Sequence, residues 1–253
     1  MKDLSQILAL AETYEQELPP APVQLTPPSG DMLAGWIDHT LLKPEATAGQ
    51  IKTLCAEARQ YGFATVCVNP VYVPLAANLL AGSDVGVCSV ISFPLGAHSP
   101  DFKAAEAAFV IHAGASEVDM VINIGALKGE DFSLAFADVE AVVERAHAEG
   151  ALVKVILENA LLTRREKIIA CLLCREAGAD FVKTSTGFSA SGATVEDVDL
   201  MRRVVGAAMG VKAAGGIRTW QDAQGMIAAG ANRLGTSAGL NILAEARKGR
   251  VDV

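Results

Sequence analysis

The sequence predicts an α/β protein built as a (β/α)8 (TIM) barrel with an extra N-terminal helix. From residue 36 onward, short β-rich apolar runs alternate with longer stretches of helical periodicity, as βα units do. Eight such runs fall at 36–40, 64–68, 86–92, 117–122, 151–157, 180–184, 211–214 and 232–235, and eight units suit a closed barrel. Several runs are apolar on both faces, among them Phe63-Ala64-Thr65-Val66-Cys67-Val68 and Val87-Cys88-Ser89-Val90-Ile91. A strand needs that pattern when helices cover one side and a barrel interior fills the other.

The elements follow in order. Residues 3 to 17 read as an amphipathic helix through Leu4, Ile7, Leu8, Ala11 and Tyr14. Pro19, Pro20, Pro22, Pro27 and Pro28 then forbid regular structure. Residues 1–30 are therefore a helix and Pro-rich linker, expected to cover a barrel end or a subunit contact, and 31–253 form the barrel domain. Within the barrel, helices are expected to end at Gly62, Gly114, Gly150, Gly178 and Gly230, each where a left-handed cap fits and a strand follows. The competing architecture is an open doubly wound sheet, but the first strand lacks the Gly-x-Gly-x-x-Gly loop of a dinucleotide site.

Composition narrows the function classes. Hydrophobic residues at 51% and charged residues at 20% of 253 indicate a folded globular protein rather than a disordered one. The formal net charge of -8 repels nucleic acid and anionic membranes, so neither is an expected partner. No apolar run approaches the roughly 18 residues of a membrane span, and no signal pattern opens the chain, so a cytoplasmic location is expected. Five cysteines, mostly within apolar stretches, read as buried thiols in a reducing compartment. Cys171 and Cys174 have the spacing of a metal or redox pair, but their neighbours are apolar at helical spacing, which reads as core.

The informative residues break the strand pattern. Asp119, Lys154, Lys183 and Lys212 each interrupt an apolar run, on the fourth, fifth, sixth and seventh strands. Such side chains are rarely buried unless paired. One alone reads as a side chain reaching the barrel mouth, whereas four on successive strands read as a site, because barrel enzymes draw catalytic groups from several strand ends. A lysine is a nucleophile only when neutral, and a second cation favours that form. Two ammonium groups about 6 Å apart repel by roughly 2.8 kcal/mol at an effective dielectric of about 20. Lys183 is thus the candidate Schiff-base amine, with Lys212 as the neighbouring cation and Asp119 as the partner of that cation.

Glycine turns follow the last two strands, as Ala214-Gly215-Gly216-Ile217-Arg218 and Leu234-Gly235-Thr236-Ser237-Ala238-Gly239. Barrels commonly hold phosphate there on backbone N–H groups. Thr184-Ser185-Thr186-Gly187 supplies a third turn directly after Lys183.

At these residues the chain resembles the deoxyribose-phosphate aldolase family. The matching segments are Ile37-Asp38-His39-Thr40-Leu41-Leu42-Lys43-Pro44, Glu117 to Asn123, Phe181 to Phe188 and Val211 to Arg218. The resemblance covers about residues 36 to 243. It implies a class I aldolase, without metal or organic cofactor, that reversibly cleaves 2-deoxy-D-ribose 5-phosphate to acetaldehyde and D-glyceraldehyde 3-phosphate. By that resemblance Lys183 forms the Schiff base, Lys212 favours its neutral form and Asp119 joins a proton relay. Lys154 is a further member of the network, and Asp38, Thr40 and Cys67 line the pocket. Thr186, Gly187, Gly215, Gly216, Arg218, Gly235 and Ser237 would hold substrate, mainly its phosphate. A homodimer is the expected assembly. Two departures stand out: Phe188 occupies a position where some members carry a phosphate-contacting lysine, and the chain ends Arg250-Val251-Asp252-Val253 where some end in tyrosine. A phosphosugar isomerase or synthase on the same barrel, or a sugar-phosphate sensor, would use the same glycine turns without needing Lys183 as a nucleophile.

Overall fold

Eight parallel strands pair in sequence order and close on themselves, β8 returning to β1 through Ile37 opposite Leu234. The computed structural model describes residues 4–22, 25–28 and 30–248; the sequence end at 250–253 lies outside them. The strands are β1 Ile37–Leu41, β2 Thr65–Val68, β3 Gly86–Ile91, β4 Glu117–Val121, β5 Leu152–Ile156, β6 Phe181–Lys183, β7 Gly210–Ala214 and β8 Arg233–Thr236. Around them run α2 Ala48–Tyr61, α3 Val73–Leu80, α4 Pro100–His112, the short α5 Ile124–Lys128, α6 Phe132–His147, α7 Arg164–Glu176, α8 Val195–Val205, α9 Trp220–Ala228 and α10 Gly239–Lys248, preceded by α1 Ser5–Gln16. The predicted strands agree to within a residue or two at each end.

Alternation along each strand divides the molecule into two cores. On β4 and β5, Val118, Met120, Val153 and Val155 are fully buried in the main core cluster under the helices. Their neighbours Glu117, Asp119 and Lys154 therefore point into the barrel, where Leu42, Cys67, Cys88 and Val90 form a separate small cluster. The five glycines expected at helix ends all have positive φ, Gly62 at 70° and Gly230 at 117° among them. Helix starts are equally explicit: Thr47, Thr163 and Thr219 each form reciprocal capping boxes with the residue three positions on.

The N-terminal helix does not cover a barrel end. α1 packs against α7 in the outer layer with Ile7 and Ala11 buried, and the guanidinium of Arg203 on α8 donates to the carbonyls of Leu18 and Pro19 at 3.0 and 2.6 Å. Proline 19 and its neighbours have no regular ladder, so their carbonyls are free to accept these bonds. The Cys171 and Cys174 side chains lie fully buried within α7, and burial pushes both thiols up.

Candidate active site

Parallel register brings charges from six strands into one connected network inside the barrel. Asp119 on β4 stands at its centre: Oδ2 accepts from Nζ of Lys183 and of Lys212, each at 2.7 Å, and Oδ1 accepts from Lys154 Nζ at 2.8 Å and the Cys88 thiol at 3.1 Å. The two lysine nitrogens are thus separated by no more than twice the shorter distance. The expected proximity exists, with a carboxylate oxygen between the two cations that offsets their repulsion.

A second tier completes the network. Asp38 on β1 pairs with Lys212 and accepts from Arg233 at 2.7 Å. Glu117 pairs with Lys154 at 2.5 Å and with Arg233 at 3.2 Å. Below them Gly210 leaves room for the Phe181 ring, which would otherwise meet a Cβ at 2.1 Å, and Arg233 lies 5.5 Å from that ring's centre. Lys154, Lys183, Lys212 and Arg233 are four cations facing three carboxylates, Asp38, Glu117 and Asp119. The cluster carries one surplus positive charge if every group is ionised.

Burial and pairing act in opposite directions on these groups. Burial alone pushes the Asp119 carboxyl up, but the attraction of Lys154, Lys183 and Lys212 outweighs it and holds the group well below the usual carboxylate range. Asp38 is likewise lowered, burial being overcome by Lys212, Lys154 and Arg233. For Lys212 and Lys154, burial favours the neutral amine, yet the surrounding carboxylates raise both above the ordinary lysine value. These two lysines are fixed cations.

Lys183 differs from them in position. It is the one member of the cluster that reaches the wall of a pocket of about 410 Å³ at the C-terminal mouth of the barrel. Thr40, Thr186, Gly187, Gly215, Gly216, Arg218, Gly235 and Ser237, all anticipated from sequence, line the same pocket. Asp38, Cys67, Lys154, Asp119 and Lys212 lie one layer deeper, wholly enclosed, and do not line it. The expectation of Asp38 and Cys67 as pocket lining therefore meets a different placement: Asp38 supports Lys212, and Cys67 sits against Cys88 inside the barrel. Cys67, Cys88 and Asp119 bring ligand-type atoms within 4.8 Å of one another, but both Asp119 oxygens already accept from ammonium groups.

The turns hold their shape by side-chain bonds. Thr184 Oγ1 donates to the Ala214 carbonyl and accepts from the Ala214 N–H, tying the β6 turn to the β7 turn at 3.0 and 3.1 Å. Gly192 fits so closely on Gly215 that a Cβ would meet its carbonyl oxygen at 2.2 Å. Glu158, at φ 57°, accepts from the Thr186 hydroxyl, and that hydroxyl accepts from the Phe188 N–H at 3.0 Å. Sequence reading passed over Glu158, as it did Glu117, Arg233 and Cys88.

With this geometry in place, known proteins supply the family. A profile of DeoC/LacD family aldolases matches residues 32–245. The chain belongs to that family. Among curated relatives of this aldolase, a deoxyribose-phosphate aldolase of a Geobacillus species is 59% identical over 211 residues, 83% of this chain and 94% of the relative. A solved structure from Coccidioides immitis superposes with a TM-score of 0.90 at 45% identity, covering 97% of this chain and 98% of that one. The deoxyribose phosphate aldolase of Aeropyrum pernix, described as a tetramer, superposes at 0.79 with 34% identity over 97% and 99% of the two chains. No helix among the described residues of this aldolase is long and apolar enough to cross a membrane.

Proposed function

We propose that this aldolase cleaves 2-deoxy-D-ribose 5-phosphate to acetaldehyde and D-glyceraldehyde 3-phosphate through a Schiff base on Lys183. The observation that carries the reading is the position of Lys183: its amine reaches the pocket wall, whereas the other two lysines sharing Asp119 are sealed beneath. Because the cluster holds one more cation than carboxylates, release of one proton leaves it balanced. Lys183 is the amine that meets the pocket, and a lysine amine is a nucleophile in its neutral form.

The Lys183 amine adds to C1 of the open-chain sugar and water departs, giving an iminium ion. The C3 hydroxyl loses its proton to Asp119 through a water oriented by Asp119 and Lys212, and C3 becomes the carbonyl of glyceraldehyde 3-phosphate. The electron pair of the C2–C3 bond passes into the iminium, leaving an enamine. Protonation of that enamine at C2 and hydrolysis release acetaldehyde and restore the amine. Lys212 and Lys154, held as cations, keep Asp119 an anion between turnovers, and the proton it takes up from C3 is the one returned to C2 of the enamine. The phosphate lies across Thr186, Gly187, Gly215, Gly216, Arg218, Gly235 and Ser237, with Thr40 at the sugar. Neither a metal nor an organic cofactor takes part in these steps.

Five buried free thiols among the described residues suit a cytoplasmic site of action. Exposed Phe102 and Phe109 on α4 suit a homo-oligomer, a dimer in the simplest case. A steady-state assay with deoxyribose 5-phosphate, following glyceraldehyde 3-phosphate through a coupled dehydrogenase, tests the function. Turnover in the wild type and its absence in Lys183→Met are expected; a wild type that binds the sugar phosphate without turning it over contradicts the proposal.

A further inference from the structure

A dianionic substrate approaching a chain of net charge -8 must be met by local cations. Three cations and no carboxylate line the pocket: Lys43, Lys183 and Arg218. Lys183 already contacts Asp119 and is reserved for the carbonyl. Arg218 lies beside Asp222, whose carboxylate accepts from the Arg218 backbone N–H at 2.9 Å and is lowered in part by the Arg218 charge. Lys43 and Arg218 are both left largely unneutralised, and Lys43 is the one of the three to which the aldolase reading has assigned no contact with the substrate. Glu45 stands 4.0 Å from its nitrogen, and both side chains are more than 70% exposed, at 74% and 71%, so this pair contributes little.

The backbone beneath Lys43 is fixed although its side chain is largely exposed. The Lys43 carbonyl accepts from Ala46 N–H at 3.0 Å, the Leu42 carbonyl from Asn69 at 3.2 Å, and the Ala46 carbonyl from the Tyr72 hydroxyl at 2.5 Å. The turn after β1 is thereby tied to the segment after β2. Phe188, also on the pocket wall, brings no charge: its ring stands edge-on to Phe93 at 5.3 Å and is half exposed.

We propose that Lys43 joins Arg218 as a cation by which this pocket selects phosphorylated over neutral sugars, its flexible stem bringing the ammonium onto the phosphate held by the glycine turns. The inference rests on the aldolase reading for the identity of the ligand. Among the described residues Lys43 makes no ion pair with the lysine and carboxylate cluster, so its effect falls on binding of the phosphate rather than on the bond-breaking step.

The test compares wild type, Lys43→Gln and Lys43→Arg with deoxyribose 5-phosphate and with 2-deoxyribose, alongside calorimetric titration with inorganic phosphate. In Lys43→Gln, the preference for the phosphorylated substrate is expected to fall roughly tenfold, through KM, as one charge-assisted contact is lost. Phosphate affinity falls in parallel, and Lys43→Arg retains both. Phe188→Lys in the Lys43→Gln background restores part of the preference by placing a cation elsewhere on the wall. Unchanged preference and phosphate affinity in Lys43→Gln overturn the proposal, as does an equal loss with both sugars. If the wild type fails to cleave deoxyribose 5-phosphate, the aldolase reading falls, while the phosphate titrations still decide the role of Lys43.

Discussion

Replacing Asp119 by Asn preserves the shape of the side chain and removes the negative charge that Lys154, Lys183 and Lys212 share at 2.7 to 2.8 Å. Each contact is worth about 6 kcal/mol of bare attraction at an effective dielectric of about 20. After desolvation is counted, breaking a buried pair of this kind costs about 3–5 kcal/mol. The surplus charge of the cluster doubles, and the most direct relief is loss of a lysine proton. The destabilisation of Asp119→Asn relative to wild type should therefore be largest near neutral pH and shrink toward about pH 9, where that proton leaves more readily. Denaturant unfolding at both pH values reads this out. Turnover should fall by about 10²–10⁴-fold because the proton of the C3 hydroxyl has lost its acceptor, while borohydride still traps an adduct. Turnover within tenfold of wild type, or a destabilisation independent of pH, would refute the reasoning.

Lys183→Met leaves three cations facing three carboxylates, so turnover should vanish while stability in urea drops by no more than about 1 kcal/mol; a larger loss means that Lys183 is chiefly structural. Gly235→Ala would place a Cβ 3.0 Å from both Lys212 Cε and Ala214 Cβ, so a displaced Lys212 should lower kcat by about tenfold while the crowded phosphate end of the pocket raises KM, as steady-state kinetics can check. Asp38 and Asp119 are both lowered in the folded chain. The stability they contribute is complete above the unfolded carboxylate value near 4 and is lost as pH falls through their folded values, so acid unfolding of wild type should steepen below about pH 4 and flatten in Asp119→Asn. Glu158→Gln keeps an acceptor for the Thr186 hydroxyl, whereas Glu158→Ala frees the turn; KM for the sugar phosphate should rise about fivefold in the second and less in the first, and equal values in both would remove Glu158 from the account.

Much of this architecture was legible because strand and helix periods differ and charges inside strands are conspicuous. Asp119, Lys154, Lys183 and Lys212 stood out as charged residues each directly following a valine, and the structure brings all four together. Glu117 and Arg233 escaped notice because each is the first residue of its strand, where a charge usually meets water. The signal was nonetheless present: Glu117 lies two residues before Asp119, and Arg233 two before Gly235, so strand alternation puts them on the inward face. Depth within the barrel was not legible, since it depends on strand stagger; Asp38 and Cys67 were expected at the pocket and lie beneath it. Glu158 adopts a left-handed backbone where glycine or asparagine is the usual residue, and only long-range packing with Thr186 sets it there. The outer position of α1 was equally hidden, because a buried stripe of Ile7 and Ala11 says that something covers it but not what.

The central claim concerns one amine, and chemical trapping addresses it without a kinetic model. Incubation with acetaldehyde and borohydride, followed by peptide mass mapping, should find an ethyl group on Lys183 and none on Lys154 or Lys212. Modification spread over all three lysines, or no modification while the enzyme turns over, would contradict the account.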